Sequence, residues 1–396
     1  MTPSWFSRSC LARSDQFGYM TVQIALEPTL IRYIITGCKP LHDPPELFSY
    51  PQRVSGNSMN IKAVAKRANV STATVSRTIN GSAKVSPRTA ERVRKAIEAL
   101  SFYPNTHARA LGSGRSSLLG LIISDITNPF FPELVKSFED FAVANGQEVL
   151  IANTSYDPER MKLCVSRMLQ RRVDGVAVIT SEMDEALVAD FSRRNIPMVF
   201  LDSAKPGPGV SCVRIDYKAG IDAAVNHLIK LGHNRIAFIS GPMRLGSARV
   251  RYKAFMESTA RDHLDRNPHL IEEGNHQVDG GHEAMKRILQ SDAKPTAVLA
   301  SNDLTAIGAM GAITEAGLCV PDDISVVGYD DIQLSAFTMP PLSTVRLPRS
   351  EIARSAFNAL LSAMQPDVPK PVQGQEHLVH PVFIARKSTG PARKKL

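Results

Sequence analysis

Several features that would place this chain in a common enzymatic or secreted class are missing from its sequence. The five cysteines are odd in number, widely spaced and without a CxxC pair, which argues against a disulfide framework or a cysteine zinc site. The ten histidines show no metal-type spacing, since even His276 and His282 stand six residues apart around two glycines. We therefore expect a reducing, cytoplasmic environment, with no metal and no cofactor.

Membrane and nucleotide-enzyme signatures are absent too. The most apolar early stretch, residues 22–36, is interrupted by Glu27, Pro28 and Arg32, so it predicts neither a membrane span nor a signal-peptide core. No GxGxxG motif follows a predicted strand, and the sequence contains no GxxxxGK[ST] loop and no GxSxG elbow. An enzyme and a membrane partner are both disfavoured.

The positive charge is concentrated in one segment. A length of 396 residues favours two or three domains. Residues 59–117 hold eleven Lys and Arg but only two acidic residues, Glu91 and Glu98, a net charge of +9. Residues 1–58 and the chain from 118 onward contribute only +1 and −1. Such a local excess is typical of phosphate contact, with a solvated basic face as the alternative.

Within that basic segment, residues 61–80 predict two short helices joined by a tight turn. The apolar positions between 61 and 68 recur at i, i+3, i+4 and i+7, and Ser71 is placed to cap a second helix that begins at Thr72. With Val75 and Ile79 facing inward, five residues project outward: Thr72, Ala73, Thr74, Ser76 and Arg77. Short hydroxyls and a guanidinium suit base edges and phosphates. An ordinary helical hairpin is the alternative.

The segments around this pair of helices complete a small all-α headpiece. Ser86 and Pro87 predict the start of a third helix that ends near Leu100. Residues 103–111 show a short polar helical pattern, closed by Gly-Ser-Gly, which is too short to be stable alone. We expect this linker to become helical when it docks on DNA; a passive tether is the alternative.

From residue 118 the sequence alternates apolar strand patterns with amphipathic helical patterns, as in parallel sheets covered on both faces. The predicted strands are 118–126, 148–152, 173–180, 197–201, 210–215, 235–240, 297–300 and 324–329. Because nearly 280 residues are long for one such sheet, we predict two Rossmann-like subdomains with a cleft between them.

Polar and aromatic residues follow several of these strands. Ligands gather beyond the carboxyl ends of strands in open α/β sheets. The residues at those ends are Asp125, Asn128, Phe130, Phe131, Asp202, Arg249, Asn302 and Asp330. Carboxylates, amides and a guanidinium can bind paired hydroxyls while an aromatic ring packs on a sugar. This predicts a site for a small polyhydroxylated or anionic metabolite, against the alternative that each residue merely caps a sheet edge.

The order of the motifs resembles the lactose/galactose-repressor family of transcriptional regulators over residues 59–390. The motifs that carry the resemblance are VSTATVSRTING, SFYPN, ARAL, NPFF, LIKLGHNRIAFISGP, SARVR, SNDLTAIGAMGAITEAGLCVPDDISVVGYDD and PPLSTVR. The resemblance implies a helix-turn-helix domain at 59–103, a hinge helix and linker at 104–117, and a type I periplasmic-binding-protein-like core at 118–390. The expected subdomains are 118–214 with 346–372, and 215–345 with 373–390.

The same resemblance implies a palindromic double-stranded operator, a sugar-like effector, and a homodimer or a dimer of dimers. Thr72 and Ala73 would read bases, with Arg77 one turn later and Thr74, Ser76 and Asn80 nearer the phosphates. Asn105 and Arg109 belong to the hinge, and Leu111 falls where the family inserts a leucine into the minor groove. Six of the predicted effector residues fall at positions that line the cleft in relatives: Asp125, Phe131, Asp202, Arg249, Asn302 and Asp330.

Some segments depart from the family pattern. Ala254 stands where many members have glycine, and both Arg249 and Arg251 can take the ligand-contacting role. Residues 1–58 have no counterpart, so we expect either a disordered accessory segment or an upstream start, with Met59 as the natural one. Residues 391–396 form a basic tail. Two rival functions remain: a solute-binding protein, which needs an export signal and no headpiece, and a DNA-binding protein without ligand control.

Overall fold

The computed structural model describes residues 60–79, 84–103, 115–180, 183–202, 205–365 and 374–393, together with two short backbone segments. Those segments, Arg13–Ser14 (β1) and Met20–Thr21 (β2), pair as antiparallel strands. The chain divides into two compact units, Met1–Pro104 and Asn105–Leu396.

The first unit contains the predicted helical headpiece, and its described helices are α1 (Ile61–Ala68), α2 (Thr72–Ile79) and α3 (Pro87–Ala99). Helix α1 ends at Asn69, whose left-handed φ of 51° turns the chain sharply toward α2. The Ser71 hydroxyl accepts a hydrogen bond from the Thr74 amide at 3.1 Å. Ser86 caps α3 in the same way, so both predicted helix starts are confirmed.

Small side chains allow the three headpiece helices to pack closely. The buried core consists of Val64, Ala65, Ala68, Val75, Val93 and Ala96. Ile97 and Leu100 are only partly buried and pack at the margin of this core. A headpiece this small has a thin core, so its helix caps contribute a large share of its stability.

The second unit begins with a six-stranded parallel sheet, ordered β13-β7-β6-β5-β3-β4. Its strands are β3 (Leu118–Ile123), β4 (Glu148–Asn153), β5 (Gly175–Ile179), β6 (Met198–Leu201), β7 (Val210–Ile215) and β13 (Glu376–Val379). Its helices are α4 (Phe130–Ala144), α5 (Pro158–Arg171), α6 (Glu185–Ser192) and α11 (Arg349–Met364). Phe138 of α4 meets Phe357 of α11 edge-on at 5.9 Å, and Met161 and Phe191 belong to a separate core cluster with the α5 and α6 side chains. We call this layered unit the first subdomain.

The second subdomain is built on another six-stranded sheet, ordered β14-β12-β11-β10-β8-β9. Its strands are β8 (Ile236–Ser240), β9 (Ile271–Glu273), β10 (Ala297–Ala300), β11 (Ser325–Asp330), β12 (Ser343–Arg346) and β14 (Val382–Ile384), the last of which is antiparallel. Its helices are α7 (Tyr217–Lys230), α8 (Gly246–Arg261), α9 (Val278–Gln290) and α10 (Asp303–Glu315). Short 3₁₀ turns occupy Pro268–Leu270 and Gln333–Ala336.

The chain passes between the two subdomains three times, after β7, after β12 and after β13. The first two passages lie close to the expected boundaries at 214–215 and 345–346, whereas the third lies after residue 379 and the expected boundary was at 372–373. Strand β13 pairs in parallel with β7, so residues 376–379 belong to the first subdomain, and only β14 returns to the second. Nothing local marked this strand, because it is a four-residue edge strand followed within three residues by another.

No helix in the described ranges is both long and apolar enough to cross a lipid bilayer. All eight predicted strands are present, as are the two Rossmann-like layers and the cleft between them.

Candidate DNA interface and effector cavity

Helix α2 presents the predicted DNA-contacting residues on its outer side. Five of them lie on exposed or half-buried positions: Thr72, Ala73, Thr74, Ser76 and Arg77. Val75, on the opposite face, is fully buried in the headpiece core. The residues at the α2 start, Ser71 to Ala73, are exposed, and the free amides at a helix start favour an anion such as a phosphate.

The basic side chains of α1 and α2 are available for binding, whereas two on α3 are paired. Arg94 and Lys95 on α3 are within ion-pair distance of Glu91. In the described part of the chain, Lys66, Arg67 and Arg77 form no ion pair, and all three are exposed. The other predicted DNA contacts lie outside the described residues: Asn80, Asn105, Arg109 and Leu111.

A cavity of about 660 Å³ lies in the core unit, between the carboxyl ends of the two sheets. Seven of the eight predicted effector residues line it: Asn128, Phe130, Phe131, Asp202, Arg249, Asn302 and Asp330. The volume is in the range of small-molecule sites. Convergence from both subdomains means that a bound metabolite would contact both of them.

Aromatic rings form the wall on the side of the first subdomain. Phe130 and Phe131 open helix α4 and pack edge to face, with their ring centres 5.2 Å apart. The Asn128 side chain accepts a hydrogen bond from the Phe130 amide at 3.0 Å and so fixes the start of this helix. The two rings are held in place and can cover an apolar ligand face.

Arg251 on α8 is a buried cation inside this cavity. Its guanidinium carbon lies 5.3 Å from the ring centre of Tyr217 and 5.2 Å from that of Tyr329. Its nitrogens donate to the carbonyls of Ser247 and Ser301, at 3.2 and 2.6 Å. No described carboxylate lies within ion-pair distance of it. Such a guanidinium, sandwiched and without a direct counterion, is suited to an electron-rich ligand.

Asp202 stands at the end of β6 with a left-handed φ of 61°. Its carboxylate accepts hydrogen bonds from the Ile215 amide at 2.7 Å and from the Tyr217 hydroxyl at 2.8 Å. Burial raises the pKa of Asp202 to about 6, although these two bonds and the Arg251 charge oppose the shift. Each oxygen keeps a further lone pair for a ligand hydroxyl.

Asp330 ends β11 and has an unusual φ of 110°, which a non-glycine residue adopts at an energetic cost. It is almost fully buried against the cavity, and no described residue donates a hydrogen bond to its carboxyl group. Burial raises its pKa to about 8; nearby Asp303 raises it further, while Arg251 and Arg349 oppose the shift. The group is therefore largely protonated at neutral pH and can donate as well as accept.

His276 lines the cavity from the loop before α9 and was missed by the sequence analysis. It is buried, and its Nε2 has no hydrogen-bond partner. Burial, together with the positive charges of Arg251 and Arg244, lowers its pKa to about 3, so the ring stays neutral. Its carbonyl accepts a hydrogen bond from the Asn302 side chain at 2.9 Å, which positions Asn302 at the cavity.

Two predicted residues differ from expectation in their placement. Arg249 lines the cavity, but its guanidinium is exposed and donates to the carbonyls of Met243 and Arg244. Arg251, two residues later on α8, is the buried arginine. Asp125 lies at the rim rather than in the wall, because its carboxylate bonds to Thr127 and Gln277.

Tyr217 was also missed as a cavity residue. It follows β7 and was not among the residues selected at the strand ends. Tyr329, inside β11, instead contacts the Arg251 guanidinium.

Comparison with known proteins places this architecture. Residues 60–105 match the model for bacterial regulatory proteins of the lacI family, and residues 225–389 match that for a periplasmic binding protein-like domain. The HTH-type transcriptional repressor PurR of Haemophilus influenzae (strain PittEE) is 37% identical over 333 residues, covering 83% of this chain and 98% of that protein. The chain belongs to the lacI family of bacterial regulatory proteins.

Solved structures of LacI-family proteins agree with the fold. The Lac repressor dimer bound to operator and the anti-inducer ONPF has a TM-score of 0.74 and 30% identity, covering 84% of this chain and all of that one. The complex of the transcriptional regulator CelR with cellobiose has a TM-score of 0.60 and 28% identity, covering 83% of this chain and 99% of that one. As a LacI-family member, this chain is a DNA-binding transcriptional regulator, and its relatives are repressors rather than enzymes.

Proposed function

We propose that this chain is a transcriptional repressor that binds a palindromic operator as a homodimer and releases or tightens it when a small sugar-like metabolite occupies the core cavity. The observation that carries the proposal is the placement of Arg251, Asp202 and Asp330 around one cavity with an aromatic wall. A ligand-independent DNA-binding protein has no need for such a cavity, and a solute-binding protein has no need for a headpiece.

For the DNA, we assign Thr72 and Ala73 to base edges and Arg77 to a base or phosphate one turn later. Thr74 and Ser76 then contact phosphates. Asn80, Asn105, Arg109 and Leu111 remain assigned to the operator, with Leu111 as the minor-groove wedge. The uncompensated basic charge of α1 and α2 supports strong salt dependence, because each neutralised phosphate releases counterions.

For the effector, we assign Arg251 and the two carboxyl groups to adjacent hydroxyls and Phe131 to the apolar face of a sugar ring. The Arg251 fork can hold two hydroxyl oxygens, while Asp202 accepts and the protonated Asp330 can donate. Cellobiose in the CelR complex is a ligand of this chemical class.

The proposed mechanism couples the cavity to the headpiece through the relative placement of the two subdomains. A ligand that contacts both favours one arrangement, and this changes the separation of paired hinges in a dimer. Such coupling is typically about 1–3 kcal/mol, enough to change operator occupancy severalfold or more. We place this activity in the cytoplasm, where chromosomal DNA is found.

An operator-binding experiment tests the DNA assignment. A palindromic site is selected in vitro with the full chain, and gel shifts then compare Arg77→Ala and Leu111→Ala with Arg94→Ala, an exposed arginine paired with Glu91 on α3. We expect a loss of at least about tenfold for the first two and near-parental binding for the third. Unaltered binding by both Arg77→Ala and Leu111→Ala would contradict the proposal.

A ligand screen tests the effector assignment. Thermal shift is measured against sugars, sugar phosphates, sugar acids and nucleobases. A sugar that stabilises the parent is then tested on Arg251→Met and on Arg266→Met, an exposed arginine of the same subdomain. We expect the shift to vanish in the first variant alone; stabilisation by nucleobases and by no sugar would overturn the assignment of ligand class.

A further inference from the structure

Two side-chain contacts cross the cleft beside the cavity. The Gln277 amide nitrogen donates to Asp125 Oδ2 at 2.7 Å. The Arg244 guanidinium carbon lies 5.9 Å from the ring centre of Tyr156. Asp125 and Tyr156 belong to the first subdomain, and Gln277 and Arg244 to the second. Each contact therefore joins the two subdomains.

Each partner of the shorter contact is oriented by its own subdomain. Asp125 Oδ1 accepts hydrogen bonds from the amide and hydroxyl of Thr127, at 2.9 and 2.7 Å, which leaves Oδ2 free for the crossing bond. The backbone N–H of Gln277 donates to the Asn275 side-chain oxygen at 2.9 Å, and this fixes the backbone of the residue before α9. The bond thus links a preorganised carboxylate to a side chain that extends from a fixed backbone, which limits the entropy lost when it forms.

The contacts stand at the rim of the cavity. Ser124 and His276, the residues immediately before Asp125 and Gln277, both line the cavity, and so does Tyr156. Asp125 is itself buried. A buried carboxylate needs a donor, so separation of the subdomains at this rim would leave Asp125 without its crossing partner.

We propose that Asp125 and Gln277 form a clasp that gates the cavity by holding the subdomains together at its mouth. The clasp acts on closure and access, and not by contact with the effector. A hydrogen bond to a charged group is stronger than a neutral one, yet a single one can break on a functional timescale. The cation–π contact between Arg244, just before α8, and Tyr156, just after β4, adds a second link between the subdomains at the same rim.

Variants that exchange the carboxylate and the amide between positions 125 and 277 test the clasp separately from the other contacts. Gln277→Glu sets two carboxylates against each other and opens the rim. Asp125→Asn combined with Gln277→Glu restores the bond with reversed polarity, because the new amide can donate to the new carboxylate. Asp125→Asn alone keeps a neutral bond, since the Gln277 amide can turn its oxygen toward it. The matched control is Gln170→Glu, an exposed glutamine on α5 that bonds only to Ser166 within its own helix.

The readout is access to a thiol placed in the cavity. Ser247→Cys, in the cavity wall, is introduced into the full chain after Cys10, Cys38 and Cys319 are replaced by serine; Cys164 and Cys212 are buried. The rate of alkylation by iodoacetamide is then measured, with thermal unfolding as the check of folding.

We expect Gln277→Glu to raise the alkylation rate about tenfold or more, and Asp125→Asn with Gln277→Glu to return it to near the parental rate. Gln170→Glu should leave it unchanged. Equal rates in Gln277→Glu and the parent, or no recovery in the double variant, would overturn the clasp. The measurement uses neither effector nor operator, so its outcome is independent of the proposed function.

Discussion

Glu133 on α4 and Arg349 at the start of α11 form an ion pair, with 2.7 Å between a carboxylate oxygen and a guanidinium nitrogen. The same guanidinium donates to the carbonyls of Asp330 and Asp331, at 2.6 and 2.9 Å. Arg349 therefore ties the end of β11, where the cavity carboxyl stands, to the first subdomain.

Arg349→Met should lower the free energy of unfolding by about 2–4 kcal/mol, because it removes a charged donor from two carbonyls and from a half-buried carboxylate. Arg354→Met, on the exposed side of the same helix, should change it by less than about 0.5 kcal/mol. Urea unfolding of both variants gives the comparison. A loss of similar size in the two would mean that the Arg349 contacts add nothing specific.

Asp330→Asn should stabilise the protein at pH 8 and have no effect near pH 4. The folded-state pKa of Asp330 is about 8, above its ordinary value of 3.8, so the folded state binds more protons between these two pH values. The ionisation of Asp330 therefore lowers the free energy of unfolding as pH rises through that window. Asparagine does not ionise, so the variant should be more stable at pH 8 by an amount on the order of 1–4 kcal/mol. Thermal unfolding against pH measures it, with the exposed Asp322→Asn as control.

His276 predicts the opposite dependence in acid. Its folded pKa of about 3 lies below its ordinary value of 6.5, so the unfolded state takes up the proton first and stability falls as pH drops below 6.5. Between pH 6.5 and 5 the decline from this residue is on the order of 2 kcal/mol. His276 has a left-handed φ of 66°, which asparagine also tolerates. His276→Asn should therefore flatten the acid side of the curve of stability against pH. His269→Asn, at an exposed position, should leave the acid side of the curve unchanged. A stability curve that is equally steep with and without His276 would contradict a lowered pKa for this residue.

Two glycines of α10 should respond in opposite ways to alanine. A Cβ at Gly308 would lie 1.9 Å from the Val278 carbonyl oxygen of α9, and one at Gly311 would meet only the His282 ring, at an ordinary 3.6 Å. Gly308→Ala should destabilise by about 3 kcal/mol or more, whereas Gly311→Ala should stabilise by up to about 1 kcal/mol through helix propensity. Chemical denaturation of the two variants tests how closely α9 packs on α10, because both substitutions lie in α10 and only Gly308 faces α9 closely.

The sequence predicts the strands and the strand-end residues because both are local signals. Apolar runs such as residues 175–179 and 297–300 are buried on both faces and need no partner to be recognised. Parallel strands also bring their carboxyl ends to one edge, so Asp202 and Asp330 converge once the fold class is known. The Ser71 and Ser86 caps follow from the same local chemistry.

The missing parts depend on packing between distant segments. Burial of Arg251 results from Tyr217 and Tyr329, which lie 34 residues before it and 78 residues after it. In sequence, Asp125 looks like the other strand-end residues. It differs in the structure because its carboxylate accepts a hydrogen bond from Gln277, more than 150 residues away. Short edge strands such as β13 carry too few residues for a recognisable alternation. Sequence distance, rather than residue type, separates what was predicted from what was not.

The late position of β13 has a consequence for synthesis. Because residues 376–379 complete the edge of the first sheet and residues 382–384 that of the second, a ribosome must translate nearly the whole core before either sheet has all its strands. The headpiece, whose described helices end at Ala99, can fold long before that point. A nascent chain would thus acquire its DNA-binding helices well before the sensor that governs them.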